Sequence, residues 1–398
     1  MKLKVVHLRF FAFAMMILNV STFQASAFRA GLLYQRMMKA NRSNNIAQRA
    51  SSQRLGTSSL SSSSATNYDH THSHTYTILE PYLQNTYEYT SRDMQEVIQT
   101  AEKAAIKAGE IMKRTSGKIA VSKTKMNAAD LVTESDIECQ QIVEDTIRSV
   151  FPSDDFLGEE NVDAGSLASS SALASAIGKY NHKEGGGGNG DCDKDDGSKL
   201  LWIVDPIDGT TNFQAGLPMF CISIGVVSLQ NANEPVVVGG VIYNPVLNEM
   251  ITAVRGRGCY LNGSKLKSKS APTDLKQALV NVGFPVSSES TLRASSNAVA
   301  AMATKVRGLR MIASASQVMS WVAQGKLSAY VSWDLNAWDV AAGMVAVEES
   351  GGFVGNFDGT RADISDRDLI VTCNEEGGEN ELNRQIQKIL EENECLEY

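Results

Sequence analysis

The run from Leu201 to Phe213, LWIVDPIDGTTNF, constrains the fold of this chain more than any other stretch. Its first four residues are apolar, which predicts a fully buried strand that ends at Asp205. Pro206 then turns the chain, and Asp208 follows. Because open α/β sheets bind ligands at the carboxyl ends of their strands, both carboxylates and the Ile207 carbonyl can point at one spot there. Carboxylate and carbonyl oxygens are ligands of Mg²⁺, so the sequence predicts a cation site at this strand end.

The residues after Asp208 add a second prediction, a site for phosphate. Gly209 lacks a Cβ, which allows a ligand to approach the backbone closely. Thr210 and Thr211 are typical of the start of a helix, where free N–H groups favour a phosphate. The alternative is an ordinary strand–turn–helix that has Asp and Gly in its turn.

Three motifs, in this order along the chain, resemble the inositol monophosphatase family. They are Gly158-Glu159-Glu160, the run WIVDPIDGTTNF just described, and Trp338 to Gly343, WDVAAG. The resemblance extends from Met94 to Leu390. It implies an α/β fold, a layered α-β-α-β-α sandwich of the inositol monophosphatase and fructose bisphosphatase type. It also implies a Mg²⁺-dependent, lithium-sensitive phosphatase that forms a homodimer and acts on a small phosphate ester.

The resemblance also gives roles to individual residues. Two or three Mg²⁺ ions would be held by five groups: Glu159, Asp205, Asp208, Asp339 and the carbonyl of Ile207. Glu159 and Thr210 would orient the attacking water. Substrate contacts would come from Gly209, Thr210, Ser314 and Ala315, and support from outside the site would come from Thr133, Asp136 and Glu160. For Asp136 and Asp339, simple helix capping is an alternative that is compatible with these roles.

One position departs from the family pattern. Inositol-selective members carry a glutamate shortly before the W-D motif, which contacts the substrate hydroxyls; here that position is Ser332, and Asp334 is near enough to substitute for it. Inositol 1-phosphate is therefore the first candidate substrate, and histidinol phosphate, galactose 1-phosphate and fructose 1,6-bisphosphate stay open. Residues 211–213, Thr-Asn-Phe, favour the inositol branch over the nucleotide bisphosphate branch, which tends to carry Lys-Glu-Phe. A non-catalytic regulator of the same fold is a further alternative, and the intact set of acids counts against it.

Charge and composition exclude other classes of function. The chain has 398 residues, and its first 68 contain nine Lys or Arg and no acid, which leaves a net charge of −17 on the rest. Such an acidic body argues against a nucleic-acid partner and suits a protein that collects cations. All five histidines lie at or before His182, so histidine chemistry is excluded from the catalytic core. The six cysteines show no C-x-x-C spacing, which favours isolated buried thiols.

The N-terminus is typical of a targeting sequence. Residues 1–27 have the form of a signal peptide, with Lys2, Lys4 and Arg9 before an apolar core and Ala-Ser-Ala at 25–27. Residues 28–68 are rich in Ser, Arg and Asn, like a transit peptide, and residues 69–90 are predicted to be a linker. This combination resembles the bipartite plastid leader of algae with complex plastids; secretion or the endomembrane system is the alternative. The apolar core is about half of the ~20 residues that a membrane span requires, so no span is expected in the mature protein.

The remaining pattern predicts one phosphatase domain over residues 91–392. A helix is expected over Met94–Arg114, capped by Ser91, and another from Asp136 to Val150. Residues 162–199 are predicted to be a flexible insertion, since Ser, Ala and Gly dominate them. Further predictions are strands at Cys221–Ser228, Val236–Tyr243, Glu249–Val254 and Lys326–Trp333, a helix ending near Gln324, and a final helix over Glu381–Glu392.

Overall fold

A computed structural model describes residues 90–118, 123–124, 131–181, 199–230, 235–266, 272, 274–285, 288–373 and 381–396. The predicted signal peptide and transit segment, residues 69–89 of the linker and residues 125–130 lie outside the described residues. Within these described ranges, no helix has the length and apolar character needed to cross a membrane.

The described elements follow one another in this order: α1 (Met94–Thr115), β1 (Lys123–Thr124), β2 (Leu131–Val132), α2 (Glu134–Arg148), β3 (Asp155–Gly158), α3 (Ser166–Asn181), β4 (Leu200–Asp208), α4 (Thr210–Ala215), β5 (Cys221–Ser228), β6 (Val236–Asn244), β7 (Glu249–Val254), β8 (Gly258–Leu261), β9 (Ser264–Lys265), β10 (Leu279–Val282), α5 (Glu289–Met302), β11 (Gly308–Arg310), α6 (Ala315–Ala323), β12 (Ala329–Ser332), α7 (Ala337–Glu349), β13 (Phe353–Asn356), β14 (Leu369–Thr372) and α8 (Glu381–Glu392).

Five layers of these elements form an α-β-α-β-α sandwich, which confirms the predicted fold. Helices α1 and α2 cover one face of a seven-stranded sheet of order β3-β4-β5-β6-β7-β8-β9. Helices α6 and α7 lie against its other face. A five-stranded sheet of order β11-β10-β12-β14-β13 follows, and α5 and α8 form the outermost layer.

Strand β4 runs through the middle of this arrangement with both faces buried. Leu200, Trp202 and Val204 contribute to the apolar core under α1 and α2. Leu201 and Ile203 contribute to the core between the two sheets. Because successive side chains of a strand point to opposite faces, a run of apolar residues without alternation is what a strand between two cores needs.

The pairing of β3 with β4 brings the acidic residues together at the edge of the sheet formed by the carboxyl ends of these two strands. Strands β3 and β4 are parallel, and Gly158 lies opposite Val204. Glu159 and Asp205, the next residues of the two strands, therefore emerge at the same edge. The pairing with β5 shifts between Asp205 and Asp208, so Pro206 lies in an irregularity of the sheet, where the missing N–H of a proline is tolerated.

The helix starts differ from the sequence predictions. The N-cap of α1 is Asp93, whose carboxylate accepts from the N–H of Gln95, so the prediction of Ser91 was wrong. The N-cap of α2 is Thr133, and Asp136 is the third residue of its capping box. Two neighbouring polar residues can each offer a cap, and the sequence alone does not show which one the chain uses.

Part of the predicted flexible insertion is helical. Ser166–Asn181 form α3, and residues 182–198 lie outside the described residues. Alanine has the highest helix propensity, and Leu173 and Ala176 of α3 are buried against the core between the sheets. The strand predicted at Lys326–Trp333 is shorter, Ala329–Ser332. Each cysteine in the described ranges is free and buried, as predicted.

Glycines in the sheet determine how closely α7 can approach it. A Cβ added at Gly225 of β5 would lie 2.4 Å from the Cβ of Ala341, and one at Gly240 of β6 would lie 2.7 Å from the Cα of Ala342. The small residues of α7 therefore rest directly on the sheet backbone. This contact fixes the depth of the helix whose first turn carries Asp339.

We expect Gly225→Ala to lower the free energy of unfolding by about 1–3 kcal/mol, because the added methyl group collides with a helix that cannot move without disturbing two cores. Urea unfolding followed by circular dichroism measures the change. Gly178→Ala in α3 is the matched control, since no atom lies within 4 Å of its added Cβ. Equal stability of the two variants would contradict this account of the α7 packing.

Candidate metal centre

Four acidic side chains from three elements meet at the edge where β3 and β4 end. Glu159 follows β3 directly, and Asp339 lies in the first turn of α7. Asp205 and Asp208 lie in the last four residues of β4, so this strand runs to Asp208 and the prediction that it ends at Asp205 was wrong. Asp205 and Asp208 are buried, with 2% and 6% of their surface exposed. The sequence predicted all four as metal ligands, and they come from positions up to 180 residues apart.

Asp205 lies at the centre of the group. Burial raises the pKa of its carboxyl group well above the ordinary range, and the charges of Glu159, Asp208 and Asp339 raise it further. A hydrogen bond also links its carboxyl group to that of Glu159. One carboxylate oxygen of Asp205 accepts from the N–H of Ile207 at 3.0 Å, which holds the side chain within the turn.

Asp208 is held by the start of α6. Its Oδ1 accepts from the N–H of Ala315 at 3.0 Å, and its Oδ2 accepts from the hydroxyl of Ser314 at 2.8 Å. The N–H groups of Ser316 and Gln317 also donate to Oδ2, at 2.6 and 3.2 Å. Burial raises the pKa of Asp208 to about 6, and these donors oppose the rise because they stabilise the charged form. Ser314 and Ala315, predicted as substrate contacts, thus lie directly beside Asp208.

Asp339 belongs to the capping box of α7. Its Oδ2 accepts from the N–H of Asn336 at 2.7 Å, and its own N–H donates to the Asn336 carbonyl at 3.1 Å. Burial raises the pKa of Asp339 to about 8, and so do the charges of Asp208 and Glu159. The N–H of Asn336 and the guanidinium of Arg367 act in the opposite direction.

Behind the acids, Asp136 connects α2 to the turn after β4. Its Oδ2 accepts from the N–H and the hydroxyl of Thr133, at 2.8 and 2.5 Å. The hydroxyl of Thr210 lies 3.1 Å from the carbonyl of Ile207 and 3.4 Å from Oδ1 of Asp136. Burial raises the pKa of Asp136 to about 7, and Glu159 and Glu160 contribute to the rise. Thr133 and Asp136 thus both cap α2 and lie next to the candidate site.

Gly209 and Glu160 complete the predicted set. Gly209 has a φ of +91°, and a Cβ there would lie 2.9 Å from the Cβ of Ser314, so the turn requires glycine for two independent reasons. The backbone N–H of Glu160 donates to the side chain of Gln140 at 2.9 Å, which attaches the loop after β3 to α2.

Ser332, at the position of the family glutamate, and its neighbour Asp334 both lie in closely packed surroundings. Ser332 is buried, and its Oγ occupies the space where a side chain on Gly283 would begin. Asp334 has a φ of +53°, and its Oδ1 accepts two hydrogen bonds from Arg367, at 2.7 and 2.9 Å. Oδ1 of Asp334 is thus engaged by this ion pair, and the suggestion that Asp334 substitutes for the glutamate stays a prediction.

Asn212 connects the loops around the site, a role that sequence reasoning missed. Its side-chain amide donates to the carbonyl of Met219 at 2.8 Å and to that of Ile312 at 2.7 Å. Ile312 comes directly before Ala313, which has a φ of +55°, and Ser314, so this contact holds the segment that leads to Ser314. In the sequence, the one indication of this role was that Asn212 is a polar residue just before Phe213, at the end of a run predicted to be buried. Its partners are backbone carbonyls, which carry no sequence signature.

The chemistry of this group fits a hard divalent cation. The donors are carboxylate and carbonyl oxygens. Neighbouring acids raise the pKa values of Asp205 and Asp339, so a bound cation would relieve a repulsion that the fold builds in. Among the described residues, no three His, Cys, Asp or Glu side chains are already arranged around a common position for a metal ion. Asp208 directs both oxygens to the start of α6, and Asp339 directs one to Asn336.

Comparisons with known proteins find relatives that match most of the chain. The inositol monophosphatase family profile matches residues 93–392. Inositol monophosphatase 2 of Solanum lycopersicum is 34% identical over 281 residues, 70% of this chain and 94% of that protein. Nus factor SuhB of Pseudomonas aeruginosa is 32% identical over 270 residues, 67% of this chain and 88% of that protein. The Thermotoga maritima IMPase structure matches with a TM-score of 0.59 and 27% identity, and covers 75% of this chain and 97% of its own.

The raised pKa values predict how the stability of the metal-free protein depends on pH. Above about pH 4 the unfolded acids have lost their protons, whereas folded Asp208 keeps its proton up to about pH 6 and folded Asp339 up to about pH 8; the pKa of Asp205 is also raised. Because the folded state binds more protons in this window, the free energy of unfolding should fall as the pH rises from about 4 to about 8, and level off above the pKa of Asp339. We expect the melting temperature without metal to drop by about 5 °C between about pH 5.5 and pH 8.

Added Mg²⁺ should reverse this trend, because the cation binds the charged carboxylates and competes with protons for them. Thermal melting at both pH values, in EDTA and then in excess Mg²⁺, makes the comparison. A stability that rises with pH in EDTA, or that Mg²⁺ leaves unchanged at pH 8, would contradict the described cluster.

Proposed function

The chain belongs to the inositol monophosphatase family, and from this premise we propose that it is a Mg²⁺-dependent hydrolase of a small polyol phosphate monoester. Inositol 1-phosphate is the first candidate substrate. The observation that carries the proposal is that Glu159 and Asp339, which are partly exposed, lie close to the buried Asp205 and Asp208 where β3 and β4 end. Placing several acids together away from water costs free energy of folding. A bound cation would offset this cost and would also bind the phosphate of a substrate.

In this proposal the carboxylates and the Ile207 carbonyl hold two or three Mg²⁺ ions. The bound metal would neutralise charge on the phosphate oxygens and lower the pKa of a water molecule. The charges of Glu159 and Asp339 both act on Asp205, so its carboxylate would take part in the metal site together with the acids at the end of β3 and the start of α7. Asp208 joins the metal site to the start of α6, where the substrate is expected to lie beside Ser314 and Ala315.

Glu159 and Thr210 have the task of orienting the attacking water. The Thr210 hydroxyl is restrained by Ile207 and Asp136, so its position is set before a substrate arrives. Gly209 leaves the backbone of the turn open to the phosphate, and the N–H groups of Gly209 and Thr210 can stabilise the charge that develops on the phosphoryl oxygens. The family resemblance gives Glu159 and Thr210 the role of orienting water and gives none of these residues the role of nucleophile. The proposed reaction is therefore a direct in-line attack by water on phosphorus, with no covalent phosphoenzyme.

The identity of the alcohol part of the substrate rests on fewer observations. Ser332 gives no carboxylate to the sugar hydroxyls, and Asp334 is engaged by Arg367. The proposal therefore keeps inositol 1-phosphate first on the family resemblance, and keeps histidinol phosphate and sugar phosphates as alternatives of the same chemistry.

A regulatory role without catalysis is a second candidate, which the similarity to Nus factor SuhB favours. The described site counts against it as the sole function. A protein that only binds a partner has no need of buried acids that repel one another, and substitution of any of them would relieve that repulsion.

Asp205→Asn should reduce phosphate release about 100-fold or more while the protein stays folded, because the amide keeps the shape but loses the charge that a cation requires. A malachite-green assay with inositol 1-phosphate and Mg²⁺ measures release, and circular dichroism checks the fold. Asp358→Asn, in an exposed turn, is the matched control. Full turnover in Asp205→Asn would overturn the assignment of the site.

Substrate choice and lithium sensitivity test the finer part of the proposal. We expect Mg²⁺-dependent release to be fastest from inositol 1-phosphate and to be inhibited by Li⁺, which would compete at a Mg²⁺ position. The assay compares four compounds at equal concentration: inositol 1-phosphate, histidinol phosphate, galactose 1-phosphate and fructose 1,6-bisphosphate. Faster release from one of the other three would move the substrate assignment to that compound and leave the metal chemistry in place.

A further inference from the structure

The guanidinium of Arg367 connects three separate parts of the chain beside the metal centre. Two of its nitrogens donate to Oδ1 of Asp334, at 2.7 and 2.9 Å. A further contact goes to Oδ1 of Asn336 at 3.1 Å. Its remaining nitrogen, Nη1, donates to the hydroxyl of Ser169 at 2.9 Å. Arg367 itself lies just before β14, so the network joins that strand, the start of α7 and helix α3.

Asn336 passes this connection on to Asp339. The N–H of Asn336 donates to Oδ2 of Asp339, and its carbonyl accepts from the N–H of Asp339. A guanidinium that fixes the side chain of Asn336 therefore also restrains the direction of the Asp339 carboxylate. The turn that carries Asp334 has a positive φ at a non-glycine residue, and the paired Arg367 compensates the charge of that carboxylate.

Helix α3 closes the network on its outer side. Ser169 is buried, and Leu173 of the same helix belongs to the core between the sheets. A pocket of about 290 Å³, partly open to solvent, lies between α3 and residues 364–367. In such a region a hydrogen bond with defined direction, such as Ser169 to Arg367, holds the two surfaces in register better than apolar contact alone.

We infer that Arg367 is a positioning residue for the metal centre: it orients Asp339 through Asn336, and helix α3 fastens it through Ser169. The inference rests on the proposed function, in which Asp339 is a ligand of Mg²⁺. Outer residues that orient metal ligands typically change metal affinity about 10- to 100-fold when they are removed. The insertion after β3 would thereby contribute to the strength of metal binding without touching the metal.

Isothermal titration of the metal-free protein with MgCl₂ tests the inference without any turnover. Arg367→Met, which keeps length but loses charge and donors, should raise the Kd for Mg²⁺ about 10-fold or more. Arg367→Lys should have an intermediate effect, because it keeps the charge and loses the fork that contacts three partners. Ser169→Ala should raise the Kd about two- to five-fold with little change in melting temperature.

Arg361→Met is the matched control. Arg361 pairs with Glu348 at 2.8 Å, near the end of the same helix α7. The substitution therefore removes an ion pair that lies far along the helix from Asp339. Its Kd for Mg²⁺ should equal that of the wild-type protein. Thermal melting of each metal-free variant shows which of them fold.

The outcomes separate the two proposals. If wild-type protein binds no Mg²⁺, the proposed function fails, and the inference fails with it. If wild-type protein binds Mg²⁺ and folded Arg367→Lys and Ser169→Ala bind it equally well, the inference alone is overturned. A lower melting temperature with unchanged Mg²⁺ affinity would make Arg367 a structural residue only, which also overturns it. Weaker binding in the Arg367 and Ser169 variants, with Arg361→Met unchanged, supports it.

Discussion

Repulsion among carboxylates at the ends of β3 and β4 and the start of α7 is the constraint on which the rest of this structure depends. The charges of Glu159 and Asp208 raise the pKa values of Asp205 and Asp339, and a fold that brings these acids together has to stabilise them from outside. It does so with backbone N–H groups: those of Ala315, Ser316 and Gln317 hold Asp208 at the start of α6, and the N–H of Asn336 holds Asp339 at the start of α7. The starts of two helices point at one sheet edge, which places positive partial charge beside the acids. A cation would provide the remaining compensation.

The positions of the acids depend on how α6 and α7, the helices of the middle layer, pack against the sheet and each other. Helix α7 can place Asp339 beside Asp205 because Gly225 and Gly240 let it rest on the sheet backbone. Its other side is equally close, since a Cβ at Gly343 would lie 2.5 Å from the sulfur of Met319 in α6. Small residues therefore set the spacing between the sheet, α7 and α6, and through it the distances among acids that come from distant parts of the chain.

Much of the site could be predicted because its ligands lie in short motifs at the ends of strands. A strand with both faces buried has to be apolar, so the acids of LWIVDPID stand out, and the resemblance then links them to Glu159 and Asp339. The parts that could not be predicted depend on partners distant in sequence. Ser91 and Asp93 are equally good caps by composition, and α3 appears in a segment whose many serines are also typical of loops. Arg367 carries no signal, since its importance comes from Asp334, Asn336 and Ser169 meeting in space.

Anomalous scattering from crystals soaked in Mn²⁺, which takes the same oxygen ligands as Mg²⁺, tests the central claim most directly. The account predicts at least one anomalous peak within coordination distance of Asp205, with Asp208, Glu159 or Asp339 as further ligands. Crystals that diffract well and show no peak at this edge of the sheet, or show peaks only elsewhere on the surface, would contradict the claim that these buried acids form a metal centre.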